Sequence, residues 1–364
     1  MEGITLKTKK ELALLALTVG ASVALVACGG SGKTESSSAT GESTSEASST
    51  ATSDFSAVII TDQGGIDDKS FNQGAWEGLT DWGKENGKSK GVGGYDYLQS
   101  NSDSDYVTNL NTAVLSNFNM IYGIGYKLAD AITEAAKANP NNNFAIVDSV
   151  VDLPNVASIN FRDHEASFLA GVAAGLTTKT NKIGFIGGMH GDVIDRFEAG
   201  FVAGVKAVKP DAEVSVQYAD SFVDAAKGKS LASAMYASNI DIIFHAAGAV
   251  GTGLFSEAKE IVQADPSKEI WVIGVDQDQS NEGVVDASRN VTLTSTLKGV
   301  GTSVKKFTEE AQKGNYNGGK NIVYGLADDG VGLTDGQLTP EVIAKVNEYK
   351  QAIIDGKQEV PEKP

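Results

Sequence analysis

The feature that most constrains the fold is an alternation of short apolar runs with helical segments, which begins near residue 56. The runs are four to six residues long and rich in Val and Ile, as at residues 57–60, 144–147 and 270–275. Apolar runs bounded by Gly and Asp are typical of strands buried in a parallel sheet, and the helical segments between them supply the crossovers. Because the rhythm restarts after about a hundred residues, the sequence predicts two doubly wound α/β lobes.

The last part of the chain predicts several crossings between these lobes. The predicted elements after Asp276 are a strand at 290–296, a helix at 300–314, a strand near 322–325 and a helix at 340–356. These are too few for a third domain, so we expect them to complete the two sheets and to form a multi-crossing hinge that suits closure around a ligand. The predicted lobes comprise residues 54–160 with 291–325, and residues 161–290 with 326–364.

Composition excludes several classes of function. The chain has 364 residues, with 30 Lys and Arg against 47 Asp and Glu, for a formal charge of -17. Nucleic acids are bound through cations that displace counterions, so we expect no nucleic-acid partner. One Cys and three His exclude an intrachain disulfide and a multi-thiolate zinc site. We therefore expect no metal and no cofactor.

The N-terminus has the pattern of a secretory signal. Three lysines precede an apolar stretch at residues 12–27, which is shorter than the ~20 residues that span a bilayer. Residues 1–27 are thus predicted to be a signal peptide, and Leu25-Val26-Ala27-Cys28 is similar to the bacterial lipobox. In that motif Cys28 becomes the first mature residue and carries lipid. The alternative is an unmodified Cys inside an ordinary signal or anchor helix.

The segment that follows predicts a tether. Residues 28–53 are mainly Ser, Thr, Ala, Gly and Glu, and no large apolar residue occurs before Phe55. Such a segment cannot bury enough surface to offset the entropy cost of ordering. We expect a lipid-anchored protein on the extracytoplasmic face of the cell membrane. Gly29 follows the Cys, in place of the Asp that retains some Gram-negative lipoproteins, which favours a Gram-positive surface.

Polar and glycine-rich residues follow six of the predicted strands. They are residues 61–65, 123–126, 148–149, 187–191, 246–248 and 276–279. Ligands of open α/β sheets bind beyond the carboxyl ends of the strands. Because these segments are spread over both lobes, they predict a binding cleft between the lobes.

No pattern of an enzyme site is present. The sequence lacks a P-loop and a Gly-x-Ser-x-Gly nucleophile elbow, and the glycine-rich residues 184–191 depart from the dinucleotide fingerprint. The three histidines fit no catalytic triad, and Asp67-Asp68 are better explained as caps of a helix that begins near Ser70 than as a cation site. We predict that the protein is not an enzyme.

Residues 62–73, followed by Ala75-Trp76-Glu77-Gly78, resemble the basic membrane protein family of bacterial lipoproteins. Residues 196–201, 272–279 and 295–298 agree with the same family in the same order. Its members are substrate-binding proteins of ABC transporters, and characterised members bind purine nucleosides. The resemblance implies a type I periplasmic-binding-protein fold, a monomer, and an ABC permease with its ATPase as partners. The strong acidity departs from the family's name, but charge is a property of the surface.

The resemblance also implies a set of ligand-binding residues: Asp62, Phe71, Asn72, Asp148, Phe197, Gly248, Asp276 and Lys298. In this interpretation Phe71 and Phe197 stack on the two faces of the base, Asp148 accepts hydrogen bonds from base N–H groups, and Asn72 binds another base edge. The sugar hydroxyls would be held by Asp276 and Lys298 beside the backbone N–H of Gly248, and Asp62 would support the sugar or the base.

Other interpretations of these residues remain open. Both Phe side chains could pack in the core, and each Asp could be an ordinary turn residue. A receptor for a sugar or signal molecule, a surface adhesin and a nucleoside hydrolase are the alternative functions. Only three Arg occur, whereas receptors for amino acids and phosphates usually need a guanidinium clamp. A neutral nucleoside needs no such clamp.

Overall fold

The structure is a computed structural model that describes residues 54–364. The predicted signal peptide, Cys28 and the predicted tether at 28–53 lie outside the described residues. The strands are β1 Ala57–Ile60, β2 Tyr95–Leu98, β3 Met120–Ile124, β4 Asn143–Val147, β5 Val156–Phe161, β6 Lys182–Gly187, β7 Glu213–Tyr218, β8 Ile242–Ala246, β9 Trp271–Gly274, β10 Thr292–Lys298, β11 Asn321–Tyr324 and β12 Val331–Leu333. The helices are α1 Phe71–Glu85, α2 Asp105–Leu115, α3 Ala129–Ala138, α4 Asp163–Thr177, α5 Asp192–Val208, α6 Ala225–Ala237, α7 Val250–Ala264, α8 Val300–Gln312 and α9 Pro340–Ile354.

The strands form two six-stranded sheets, as the alternating pattern predicts. The first has the order β11-β5-β4-β3-β1-β2, and the second has the order β12-β10-β9-β8-β6-β7. Every pairing between neighbouring strands is parallel except that of β10 with β12. The central strands are inaccessible to solvent, because helices cover both faces of each sheet; all four residues of β1 are fully buried. Two doubly wound α/β lobes are therefore confirmed.

The strand pairing differs from the predicted lobe division at one point. The prediction placed residues 291–325 in the first lobe, but β10 pairs with β9 and β12 in the second sheet. The chain returns to the first lobe only after Lys298, where α8 packs against α1 and β11 pairs with β5. A run such as Thr292–Lys298 predicts a buried strand but does not identify the sheet that it joins.

The chain passes between the lobes three times. The first passage follows β5, the second follows β10, and the third lies between β11 and β12. Each passage begins at the carboxyl end of a strand, so the hinge lies at the same edge of the sheets as the strand-end loops. Functional residues and hinge residues are therefore close together.

Helix α1 is held to the first lobe by an unusually close contact. Its buried face includes Ala75, Leu79 and Trp82. A Cβ atom at Gly78 would lie 2.0 Å from the carbonyl oxygen of Gly301 in α8, so the contact requires a residue without a side chain. This contact fixes the position of the N-terminus of α1, where Phe71 and Asn72 lie. Among residues 54–364, no helix has the length and hydropathy needed to cross a membrane.

Candidate functional site

A cavity lies between the two lobes, at the carboxyl ends of the strands. It contains about 560 Å³ of space free of protein atoms, a figure that includes the solvent-filled mouth. The lining includes all eight residues of the predicted site: Asp62, Phe71, Asn72, Asp148, Phe197, Gly248, Asp276 and Lys298. The structure thus brings together residues that are far apart in the chain, from Asp62 to Lys298.

Two of the aspartates occupy similar positions in the two lobes. Asp148 directly follows β4, and Asp276 follows β9 after one residue. Both have left-handed backbone conformations, with φ of 65° and 66°. Asp and Asn adopt this region more readily than most residues, because a short polar side chain can form local hydrogen bonds there. The chain therefore turns sharply at each strand end, and both carboxyl groups line the cavity.

The two phenylalanines lie on opposite lobes. Phe71 is the first residue of α1 and is half-buried, whereas Phe197 in α5 is buried and its ring centroid lies 6.2 Å from that of Phe244. The ammonium nitrogen of Lys298 lies 5.2 Å from the centroid of Phe71 and 5.7 Å from that of Phe197. Phe197 is therefore both a core residue and a wall of the cavity.

Asn72 is held by two carboxyl groups. Its Nδ2 donates to Oδ1 of Asp62 at 2.8 Å and to Oδ2 of Asp68 at 3.0 Å. Asp68 also accepts from the backbone N–H groups of Ser70, Asn72 and Gln73, so it caps α1 as the sequence predicts. Within the described residues, Oδ1 of Asn72 is buried and has no hydrogen-bond partner. This oxygen is an acceptor available to a ligand.

Lys298 is paired differently from the prediction, which placed it beside Asp276 on a sugar. Its Nζ lies 2.6 Å from Oδ2 of Asp148 and 3.0 Å from Oδ1 of Asp163. Asp276 instead accepts a hydrogen bond from the Ser70 hydroxyl of the other lobe. The buried Oδ1 of Asp148 has no hydrogen-bond partner among residues 54–364. Lys298 thus neutralises Asp148 while leaving one carboxylate oxygen free.

Burial shifts the pKa values of the carboxyl groups in the cavity. Desolvation raises the pKa of Asp62 to about 6 and that of Asp276 to about 7. Burial also raises the pKa of Asp148, although the Lys298 ammonium opposes the rise. For Lys298, burial alone would lower the pKa, but three neighbouring carboxylates reverse the effect and raise it. The cavity is rich in hydrogen-bond acceptors and suits a ligand that offers several donors.

Sequence reasoning missed two aromatic side chains of the cavity wall. Tyr126 of the first lobe and Phe222 of the second both line the cavity, with their ring centroids 6.3 Å apart in an edge-to-face arrangement. Tyr126 lies in the strand-end segment 123–126, so its position in the sequence could have identified it as a cavity residue. Phe222 is harder to identify, because it follows β7, a half-buried edge strand that only an alternating polarity pattern indicates.

The lobes are also joined directly by side-chain amides of the loop after β9. Gln277 Nε2 donates to the carbonyl oxygen of Ser70, and Gln279 Nε2 donates to that of Lys69, both at 2.7 Å. These bonds connect the second lobe with the residues just before α1. The structure therefore represents a closed arrangement of the lobes. Among residues 54–364, no cluster of His, Cys, Asp and Glu is arranged to hold a metal ion.

Two α/β lobes with three connecting passages and a polar cavity between them define a two-lobed binding protein with a type I periplasmic-binding-protein-like fold. A solved ABC transporter solute-binding protein from Aeropyrum pernix K1 has a similar structure, with a TM-score of 0.72 and 25% identity over 84% of this chain and 94% of that chain. Residues 55–364 match the Bmp family, described as "ABC transporter substrate-binding protein PnrA-like". The chain belongs to this family of ABC transporter substrate-binding proteins.

Curated relatives agree with this assignment. A protein of Listeria monocytogenes serovar 1/2a named "CD4+ T-cell-stimulating antigen" is 57% identical over 318 residues, covering 85% of this chain and 89% of the relative. The "ABC transporter nucleoside-binding protein BmpA" of Lactococcus lactis subsp. cremoris is 52% identical over 316 residues, covering 85% of this chain and 90% of the relative. The resemblance to the basic membrane protein family is confirmed.

Proposed function

We propose that this substrate-binding protein captures purine nucleosides (guanosine, inosine and adenosine) and delivers them to an ABC permease and its ATPase. The observation that carries the proposal is the placement of Phe71 and Phe197, from opposite lobes, on the walls of one acceptor-rich cavity. A purine has two π-faces, and stacking on aromatic side chains contributes roughly 1 to 3 kcal/mol per base. The Lactococcus lactis relative, named as a nucleoside-binding protein, supports the same class of ligand.

The polar groups suit the edges of a nucleoside. The free oxygens of Asp148 and Asn72 would accept hydrogen bonds from base N–H groups. Asp276 would accept from a ribose hydroxyl near Gly248, and Asp62 would support the opposite side of the ligand from the first lobe. In this proposal the main role of Lys298 is to hold Asp148 in place. Its ammonium group is already paired with the carboxylates of Asp148 and Asp163.

Charge favours a nucleoside over a nucleotide. The described lining of the cavity contains the carboxyl groups of Asp62, Asp68, Asp148 and Asp276, and its one cationic side chain is Lys298. Since Lys298 is paired with carboxylates, a phosphate would meet net repulsion and no guanidinium clamp. A neutral sugar-linked base avoids this cost.

Isothermal titration calorimetry tests the proposal. We expect guanosine, inosine or adenosine to bind with a Kd below about 1 μM, while cytidine and ribose bind far more weakly.

Phe71→Ala should weaken purine-nucleoside binding at least tenfold, because one stacking face is lost. Phe55→Ala is the matched control, since Phe55 packs on Trp82 in the same lobe and is not part of the cavity lining. Micromolar or weaker binding of every purine nucleoside would contradict the proposal, and preferential ribose binding would indicate a sugar receptor.

We also propose that the chain acts as a monomer anchored by lipid on Cys28, with residues 1–27 removed and residues 28–53 as a tether on the extracytoplasmic face. The support is the lipobox-like sequence at residues 25–28 and the polar composition that follows it. The wild type and the variant Cys28→Ser are each expressed in cells that are fed a labelled fatty acid. We expect the label in the wild-type protein and not in Cys28→Ser. Equal labelling of both would contradict lipidation at Cys28.

A further inference from the structure

A buried chain of alternating charges runs from the second lobe to the cavity. Arg196 donates to Oδ2 of Asp163 from Nη2 at 2.9 Å and from Nε at 3.2 Å. Oδ1 of Asp163 lies 3.0 Å from Nζ of Lys298, which in turn lies 2.6 Å from Oδ2 of Asp148. The side chains of Arg196, Asp163, Lys298 and Asp148 are 17%, 0%, 3% and 5% exposed. We refer to these four residues as the ionic chain.

The order of signs explains why these charges are tolerated in a buried place. A buried charge is costly unless opposite charges and hydrogen bonds surround it. Oδ2 of Asp163 accepts hydrogen bonds from Arg196, whereas its Oδ1 has only the ion-pair contact with Lys298, which is thus shared between two carboxylates. The four formal charges sum to zero, so the chain needs no further ion.

The ionic chain also spans the hinge. Asp163 is the first residue of α4, just after the first passage between lobes, and Lys298 is the last residue of β10, just before the second. Asp148 belongs to the first lobe and Arg196 to the second, in α5. The contacts therefore join the cavity to two of the hinge passages and to helix α5 of the second lobe.

We propose that Asp163 and Arg196 are positioning residues of the binding site: Arg196 holds Asp163, Asp163 shares the Lys298 ammonium with Asp148, and together they set the position of the Asp148 carboxylate as an acceptor for the ligand. The inference rests on the proposed function in one respect, the role of Asp148 as an acceptor from the base. Neither Asp163 nor Arg196 lines the cavity, so both act through Lys298.

Charged groups from several elements act on Asp148. Lys298 from β10 and Arg196 from α5 favour its ionised form, whereas Asp163 from α4 opposes it. Asp276 beyond β9 and Tyr126 after β3 also interact with Asp148 electrostatically. At the far end, Arg196 faces Glu362, which also acts on His164.

The two positioning residues carry opposite charges, and this makes the test specific. Arg196→Met removes a positive charge and leaves Asp163 to compete for Lys298, so the pKa of Asp148 should rise. Asp163→Asn removes a negative charge and frees Lys298 for Asp148, so the pKa of Asp148 should fall. Loss of packing alone would weaken binding in both variants without moving the pH midpoint in opposite directions.

The experiment measures two quantities as a function of pH. Carboxyl ¹³C chemical shifts in Asp-labelled protein, assigned with Asp148→Asn, report the Asp148 titration without ligand, and calorimetry reports the Kd for guanosine. The acid limb of binding should move to higher pH in Arg196→Met and to lower pH in Asp163→Asn. Arg196→Lys should restore the wild-type profile, and Arg289→Met is the matched control, because Arg289 lies over the Trp271 ring and outside the cavity lining.

The outcomes separate this inference from the proposed function. An unchanged Asp148 titration in both variants, or shifts of the same sign, would overturn the inference even if guanosine binds. If the wild type binds no nucleoside at any pH, the proposed function fails, while the ¹³C titration still decides whether the ionic chain controls Asp148. Should Arg196→Met fail to fold, Arg196→Gln removes the same charge and keeps N–H groups for Asp163.

Discussion

At the scale of single residues, the cavity concentrates carboxyl groups that are poorly hydrated. Asp276 accepts a hydrogen bond from Ser70, and Lys298 acts on it electrostatically, yet burial dominates and raises its pKa to about 7. Asp62 shifts in the same direction for the same reason. These groups hold their protons more tightly in the folded chain than in the unfolded chain, where an Asp has a pKa of about 3.9. The stability of the folded protein without ligand therefore depends on pH.

The sign of that dependence follows from the raised pKa of Asp276. Its contribution to stability is fully present below about pH 4 and is lost as the pH rises through about 7. We expect the melting temperature of the unliganded protein to fall between pH 5 and pH 8, and to fall less in Asp276→Asn. One unit of pKa is about 1.4 kcal/mol, so the variant can gain at most about 4 kcal/mol over the wild type at pH 8.

Differential scanning calorimetry across this pH range makes the measurement. Asp278→Asn is the control in the same loop, because Asp278 is exposed and bonds only locally, to the N–H of Ser280. If the melting temperatures of the wild type and Asp276→Asn change with pH in parallel, protonation of Asp276 does not contribute to stability.

At the scale of elements, the loop after β9 and the N-terminus of α1 form the contact that closes the cavity. Gln277 and Gln279 bond to consecutive backbone carbonyl groups, those of Ser70 and Lys69. Lys69 has a left-handed conformation, with φ of 60°, so the chain turns sharply just before the helix. The closure contacts therefore lie directly beside Phe71, and a ligand that orders this turn also favours the closed lobes.

Gln277→Ala removes one hydrogen bond between the lobes. A hydrogen bond contributes about 0.5 to 1.5 kcal/mol net, so we expect guanosine affinity to fall roughly two- to tenfold, mainly through faster dissociation. Stopped-flow release and calorimetry measure the two effects. Gln73→Ala is the matched control, because Gln73 bonds to Glu77 within α1 and makes no bond across the cleft. Unchanged dissociation in Gln277→Ala would show that this contact does not stabilise closure.

At the scale of the whole molecule, the three passages of the polypeptide between the lobes lie beside the buried ionic chain. The passages allow the lobes to move, while Lys298 and Asp163 place buried charges at the hinge itself. Lys298 in the second lobe pairs with Asp148 in the first, so this buried ion pair joins the lobes beside the hinge. In this closed arrangement the other carboxylate oxygen of Asp148 has no hydrogen-bond partner among the described residues. Binding and closure thus depend on the same residues.

Much of this could be predicted from the sequence. Apolar runs such as Ala57–Ile60 require burial on both faces, and that requirement predicts parallel sheets covered by helices. Polar residues at the strand ends predict the edge where a ligand binds, and all eight predicted site residues line the cavity. Family resemblance supplied their proposed roles, which the pattern of strands alone does not reveal.

The sequence by itself determined the strands, the helices, the edge of the sheets that carries the cavity and the lipobox-like segment, because these depend on local patterns of polarity. Only the tertiary structure decided that β10 joins the second sheet and that Lys298 pairs with Asp148 and Asp163. The same holds for the contact of Arg196 with Asp163. Strand partners and buried ion pairs join residues far apart in the chain, and their energies depend on burial and distance, which exist only once the lobes have packed.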